Sequence, residues 1–148
     1  MSKFIYLFAT GFGVGYLPRI PGTYGSILGV ILFMLLTSVS FQVKAFVLLL
    51  MFFFGAMAAV KIEINSGTKD NQIIVIDEIV GVWVTLLIAP EGVEWILASL
   101  ILFRIIDISK PYPIRKLESL KNGYGVMLDD ILAGVFAGII LLIVNRFI

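Results

Sequence analysis

The stretch AFVLLLMFFFGAMAAV, residues 45–60, runs for sixteen residues without a charge. A helix of that length approaches the thickness of a bilayer core once its flanks are counted. Further apolar blocks fall at about 27–43, 79–90, 92–106 and 131–145. Of these, 27–43 and 131–145 are also long enough to span, or nearly so. The 148 residues are 60% hydrophobic and only 14% charged, with a mean hydropathy of +1.08. A soluble domain of this size carries about 25% charged residues. With so little polar surface, a water-soluble fold would expose apolar area everywhere, and the bilayer is the natural solvent. The expected fold is all-α: one integral-membrane domain over 1–148, a polytopic helix bundle of about 4–5 membrane segments.

Two segments fit this scheme less simply. The block 79–90 holds 12 residues after Glu78, roughly 18 Å of helix against a core about 30 Å thick. Either its helix starts near Asn71 and carries Asp77 and Glu78 into the membrane boundary, or it forms a re-entrant hairpin with 92–106. Phe4–Leu17 contains Gly11, Gly13 and Gly15 and is closed by Pro18. It is too short and glycine-rich to span, and no small-residue cleavage site marks it as a signal. It reads as an interfacial or re-entrant segment.

Composition also restricts chemistry. A net charge of +1 gives no reason to expect a nucleic-acid partner. With no Cys, disulfides, thiolate catalysis and zinc–thiolate sites are excluded, and with no His the commonest general base is missing. Any catalysis here must draw on carboxylates, Lys and Arg, hydroxyls or backbone amides, with a hard metal ion as a further option.

If the N-terminus is cytoplasmic and the five blocks alternate, Lys3, Arg19, Lys61, Lys69, Arg104, Lys110, Arg115, Lys116 and Lys121 fall inside. Only Lys44 and Arg146 fall outside, as the positive-inside rule expects. A hairpin preserves this parity. The acids divide the same way: Glu63, Asp70, Asp77, Glu78, Asp107, Glu118, Asp129 and Asp130 inside, Glu91 and Glu94 outside. The rule concerns Lys and Arg alone, so the acids call for a functional surface at the cytoplasmic boundary.

Four motifs end on that face. LPRIPGTYGS (17–26) leads into the first long helix. It is either a simple turn with Thr23 or Ser26 as N-cap, or an anion site built from backbone N–H groups and Arg19. IVIDEIVG (74–81) sets Asp77 beside Glu78 at the head of an apolar helix, where adjacent acids repel unless a cation sits between them. FRIIDISKPYPI (103–114) places Arg104, Asp107 and Lys110 at i, i+3 and i+6 if its helix persists to Lys110. That stripe is an ion-pair ladder or half of a metal-and-phosphate site. GYGVMLDDILAG (123–134) sets Asp129 and Asp130 behind a glycine-containing loop, and capping explains one of them better than both. Together, Asp77, Glu78, Asp107, Asp129 and Asp130 form an oxygen-only ligand set for Mg²⁺, or Mn²⁺. Arg19, Gly22, Thr23, Gly25, Ser26, Arg104 and Lys110 supply the anion-binding half. Mg²⁺ and phosphate at a bilayer surface suggest hydrolysis or transfer at a phospholipid or polyprenyl phosphate.

These four motifs, in this order, resemble the phosphatidylglycerophosphatase A family over nearly the whole chain. The resemblance implies a Mg²⁺-dependent enzyme of the bacterial cytoplasmic membrane that converts phosphatidylglycerol phosphate to phosphatidylglycerol. Departures are mild: Lys121-Asn122-Gly123-Tyr124 replaces a segment usually richer in Gly with a Trp, and Ile106 and Tyr112 stand where other aromatics are common. Without Cys or His, the chemistry left is a metal-activated water, which we favour, or an Asp nucleophile forming an aspartyl-phosphate. Asp77, Glu78, Asp107, Asp129 and Asp130 would then serve as ligands or base, with Lys110 and Arg104 stabilising the phosphoryl group.

Other classes account for less. A small transporter or ion channel would also bring carboxylates into the membrane, but calls for polar residues along the spans and on both faces. A scaffold subunit accounts for Lys and Arg but not for five clustered acids. Gly134 and Gly138 form a GxxxG spacing, usable within the bundle or between copies in a homo-oligomer.

Overall fold

Pro18 and Pro21 bracket Arg19 and Ile20, and the first long helix starts at the second proline, where the missing N–H costs nothing. This element, α2 (Pro21–Leu35), follows a short α1 (Ser2–Ala9) and precedes α3 (Phe41–Ser66), α4 (Ile76–Ile88), α5 (Val93–Ser109), α6 (Ile114–Glu118) and α7 (Tyr124–Asn145). The computed structural model describes residues 2–68, 71–118 and 124–147, and among these there is no strand. Lys69, Asp70, Lys121, Asn122 and Gly123 lie outside the described residues.

The block expected at 27–43 is divided. α2 ends at Leu35, and Ser40, in extended backbone, opens α3. The hydroxyl-rich Thr37-Ser38-Val39-Ser40 competes for backbone hydrogen bonds and favours a turn over helix. Thr23 and Ser26 are therefore inside α2 and cap nothing. α3 runs past residue 60 to Ser66, where left-handed Gly67 returns its N–H to the Glu63 carbonyl at 2.9 Å. Lys61 and Glu63 had hidden those last turns from a reading based on apolar runs.

α4 does not start near Asn71. Asn71 forms a turn, its carbonyl accepting from the Ile74 N–H at 2.8 Å and its side-chain oxygen from the Ile73 N–H at 3.3 Å. The Val75 N–H donates to the Ala9 carbonyl at 2.9 Å, tying the N-terminal segment to the foot of α4. That segment is α1 followed by left-handed Gly11, Phe12 and Gly13 and a 3₁₀ turn at Val14–Tyr16. Gly15 packs so tightly on the Ile73 carbonyl that a Cβ there would overlap it.

α4 is the axis of the bundle. At 13 residues it is about 20 Å long, and Ile79 to Thr85 are buried without a break. A helix that is apolar all round must be enclosed, and α2, α3, α5 and α7 pack against it. Small residues make that possible. A Cβ on Gly134 of α7 would overlap the Gly81 carbonyl, and one on Gly138 would stand 2.6 Å from Ile88. The GxxxG spacing is thus occupied by α4 within the chain, which removes it as an argument for association between copies. Thr85 Oγ1 lies 3.3 Å from the Gly81 carbonyl and 3.2 Å from that of Gly134, able to donate to either. Trp83 Nε1 donates to the Gly29 carbonyl at 2.8 Å, fixing α4 to α2.

Outward, the bundle is apolar. Phe46, Phe53, Phe54 and Met57 on α3, Leu97, Ile101, Ile105 and Ile108 on α5, and Ile139 and Ile143 on α7 are exposed. Among the described residues two helices, α3 and α7, are long and apolar enough to cross a membrane, each with a mean hydropathy of 2.3 over an 18-residue stretch. α2, α4 and α5 are shorter, so the length criterion supports two spans where the sequence suggests four or five.

Candidate active site

Because α2 and α4 start at one end of the bundle, α5 finishes there and α7 enters there, the four motifs meet. Lys44 and Glu91 border a separate cavity with Thr37 and Gly92, where α2 joins α3 and α4 joins α5. At the motif end, a cavity of about 210 Å³ is lined by Asp77, Glu78, Asp107, Ile108, Lys110, Val126, Asp129 and Asp130. All five acids singled out from the sequence are here. Asp77, Asp107, Asp129 and Asp130 are buried and Glu78 is partly so.

The elements hold the acids differently. Asp77 and Glu78 occupy the first turn of α4, where the helix dipole favours negative charge, and Asp77 Oδ1 accepts from the Glu78 N–H at 3.0 Å. Asp129 and Asp130 are not caps. They lie in the second turn of α7, and Asp129 Oδ1 accepts from the Asp130 N–H at 3.1 Å. α5 ends at Ser109, one residue short of the expected Lys110, which takes a left-handed conformation and caps the helix by donating its N–H to Ile106.

Two of the five acids sit in close ion pairs, and Glu78 in a longer one. Asp107 pairs with Arg104 one turn before it. Asp129 Oδ2 accepts from Lys110 Nζ at 2.7 Å, an α5–α7 pair. The i, i+3, i+6 ladder therefore stops at its first rung, because Lys110 turns across to α7. Arg104 also stands 3.9 Å from Glu78.

The other three acids converge. Asp77, Glu78 and Asp130 each bring an oxygen within 4.8 Å of the others. Glu78 Oε2 and Asp130 Oδ2 are buried and have no hydrogen-bond partner among the described residues. Buried carboxylate oxygens crowded together and unpartnered are costly unless a cation joins them. All the donors are hard oxygens, which suits Mg²⁺ or Mn²⁺.

The first motif contributes unevenly. Gly22 faces the site, and a Cβ there would collide with Glu78 Oε1 and stand 3.1 Å from the Arg104 guanidinium. The amides of Thr23 and Tyr24 already donate to the Ile20 carbonyl at 3.1 and 3.2 Å. Gly25 packs on Val75, and buried Ser26 donates its hydroxyl to the Gly22 carbonyl at 2.9 Å. Arg19 is exposed, at φ 77°, and is not part of the cavity lining. Ile108 and Val126, which complete the wall, carry no signal in the sequence beyond being apolar.

Neutralising Lys110 leaves Asp129 buried beside an uncharged neighbour. Lys110→Met is expected to lower the turnover of phosphate release by about a hundredfold, with Lys110→Arg recovering part of it. Steady-state kinetics on the two variants checks this.

The family model described as phosphatidylglycerophosphatase A matches residues 7–145. A Bacteroides thetaiotaomicron protein, provisionally named phosphatidylinositol-3-phosphatase, is 42% identical over 143 residues, covering 91% of this chain and 89% of its own. Phosphatidylglycerophosphatase A of Haemophilus influenzae is 44% identical over 140 residues, covering 92% of this chain and 85% of its own. That of Escherichia coli is 36% identical over 148 residues, covering 99% and 86%. No solved structure matches the chain significantly. The relatives are named as phosphatases, which leaves the transporter reading without support. Matched from residue 7 to 145 by the family model and over at least nine-tenths of its length by these relatives, the chain belongs to the phosphatidylglycerophosphatase A family and is a phosphatase.

Proposed function

We propose that this enzyme hydrolyses the terminal phosphomonoester of phosphatidylglycerol phosphate with Mg²⁺, at the cytoplasmic face of the bacterial cytoplasmic membrane. Water adds to phosphorus, the bond to the glycerol oxygen breaks, and phosphatidylglycerol and inorganic phosphate are the products. The observation that carries the reading is the convergence of Asp77, Glu78 and Asp130, two of their oxygens buried and without a hydrogen-bond partner among the described residues, beside a lysine in one cavity.

Mg²⁺ held by Asp77, Glu78 and Asp130 would supply charge neutralisation and Lewis acidity at the phosphate. The chain's own groups do the rest. Lys110 places positive charge at the cavity wall, and Arg104 adds charge beside Asp107 and Glu78, where negative charge grows on the phosphoryl oxygens as the ester bond breaks. Asp107 and Asp129 hold those two cations in position. Ile108 and Val126 complete the wall with apolar surface. The exposed apolar faces of α3, α5 and α7 support a multi-pass arrangement, with the shorter α4 enclosed by its neighbours. A site at the end of such a bundle would meet lipid headgroups, and the Lys and Arg bias supports a cytoplasmic position for that end.

The test is phosphate release by the purified protein on three substrates: phosphatidylglycerol phosphate, phosphatidylinositol 3-phosphate and a soluble phosphomonoester. The reading expects kcat/KM on phosphatidylglycerol phosphate to exceed the other two by about a hundredfold, close to 3 kcal/mol of transition-state discrimination. Faster turnover of either alternative would contradict it.

A further inference from the structure

The chain leaves α5 through Lys110-Pro111-Tyr112-Pro113 and turns into α6, forming an elbow beside the catalytic cavity. This elbow encloses a second hollow of about 350 Å³, lined by Ser109, Lys110, Pro111, Tyr112, Arg115 and Lys116. Lys110 lines both hollows, so they share a wall. Among its described lining residues are three cations, Lys110, Arg115 and Lys116.

The elbow is a fixed structure. Ile114 is fully buried in the hydrophobic core, and its N–H donates to the Pro111 carbonyl at 2.8 Å. The Lys116 N–H donates to the Pro113 carbonyl at 2.9 Å, and α6 packs on α7. Lys116 Nζ sits 5.0 Å above the Tyr112 ring and 3.4 Å from its hydroxyl. Arg115 is exposed beside them. Topology alone calls for positive charge on this face. It does not call for those charges to be held on a rigid turn that shares a lysine with the catalytic cavity.

We propose that this elbow is a subsite for the phosphodiester of the lipid substrate, read by Arg115 and Lys116 while the monoester occupies the acid-lined cavity. The proposal rests on the function proposed above. Phosphatidylglycerol phosphate carries two anionic groups one glycerol apart, and two adjoining hollows that share Lys110 as a wall match that arrangement. Arg115 offers paired N–H donors suited to two phosphate oxygens, and Lys116 adds a point charge. The subsite contributes binding in the ground state and the transition state alike, so it lowers KM without changing kcat.

The experiment uses Arg115→Gln/Lys116→Gln in neutral detergent micelles, with Arg115→Lys/Lys116→Arg as the charge-preserving control. Expected are a KM for phosphatidylglycerol phosphate raised about tenfold, a kcat within about twofold of wild type, and a control whose KM rises by less than that of the Gln variant, because charge is kept while the Arg115 fork is displaced. Two inhibitors separate the sources of binding. Phosphatidylglycerol, a diester with no monoester, is expected to inhibit the double variant about tenfold more weakly. Phosphatidic acid, a monoester with no diester, is expected to inhibit both proteins equally. Equal weakening of both inhibitors would show a general attraction to anionic lipid and overturn the proposal, as would an unchanged KM or a fall confined to kcat. If the wild type releases no phosphate from phosphatidylglycerol phosphate, the functional reading fails and the elbow with it. Wild-type turnover with an unaltered double variant fails the elbow alone.

Discussion

Asp130→Asn is expected to lower the turnover of phosphate release by about a thousandfold or more while the protein still inserts and folds. Asparagine keeps the volume and one carbonyl oxygen but removes the charge. Asp130 is buried in the second turn of α7 and shares a 4.8 Å cluster with Asp77 and Glu78. Its Oδ2 has no hydrogen-bond partner among the described residues. A carboxylate kept this way contributes nothing to folding that asparagine could not replace, since burying an unpaired charge is unfavourable. The loss should therefore appear in activity and not in thermal stability. Asp77→Asn is expected to behave alike. A variant that keeps a tenth or more of wild-type turnover would remove Asp130 from the site.

The second large effect is on the fold. Gly134→Val is expected to destabilise the bundle by about 3 kcal/mol or more, enough to deplete the monodisperse peak in size-exclusion chromatography. A Cβ at 134 overlaps a backbone atom, the Gly81 carbonyl oxygen, and no rotamer change relieves that. The same contact carries Thr85 Oγ1, and the Cβ position on Gly81 faces the Asp130 carbonyl at 2.8 Å. Separating α4 from α7 there also separates Asp77 from Asp130. Gly138→Ala tests the next contact along: its Cβ would stand 2.6 Å from Ile88 Cβ, an atom fixed to the backbone, so it is also expected to destabilise. A Gly134→Val protein that melts within about 2 °C of wild type would refute this account of the α4–α7 contact.

Much of this was legible in the sequence because the signals are compositional. The absence of Cys and His left carboxylates as the chemistry, and the acids were traceable to one end because helix parity follows from counting apolar blocks. What failed was anything decided by local hydrogen bonding. The block at 27–43 concealed the turn at Thr37–Ser40, and Asn71 formed a turn where an earlier start of α4 was one of two readings. The division of the five acids was equally out of reach. Nothing in FRIIDISKPYPI shows that Lys110 crosses to Asp129 while Asp107 stays with Arg104, because that choice depends on where α5 ends relative to α7. Nor does LPRIPGTYGS show that Gly22 faces Glu78 while Ser26 donates to its own helix.

The central claim is that the converging acids work through a divalent cation on a lipid phosphomonoester. It is tested most directly by phosphate release from phosphatidylglycerol phosphate after EDTA treatment, followed by Mg²⁺ readdition. The account predicts turnover below about 1% of the starting value with EDTA, restored by Mg²⁺ in the wild type but not in Asp130→Asn. Full turnover persisting in EDTA would contradict it.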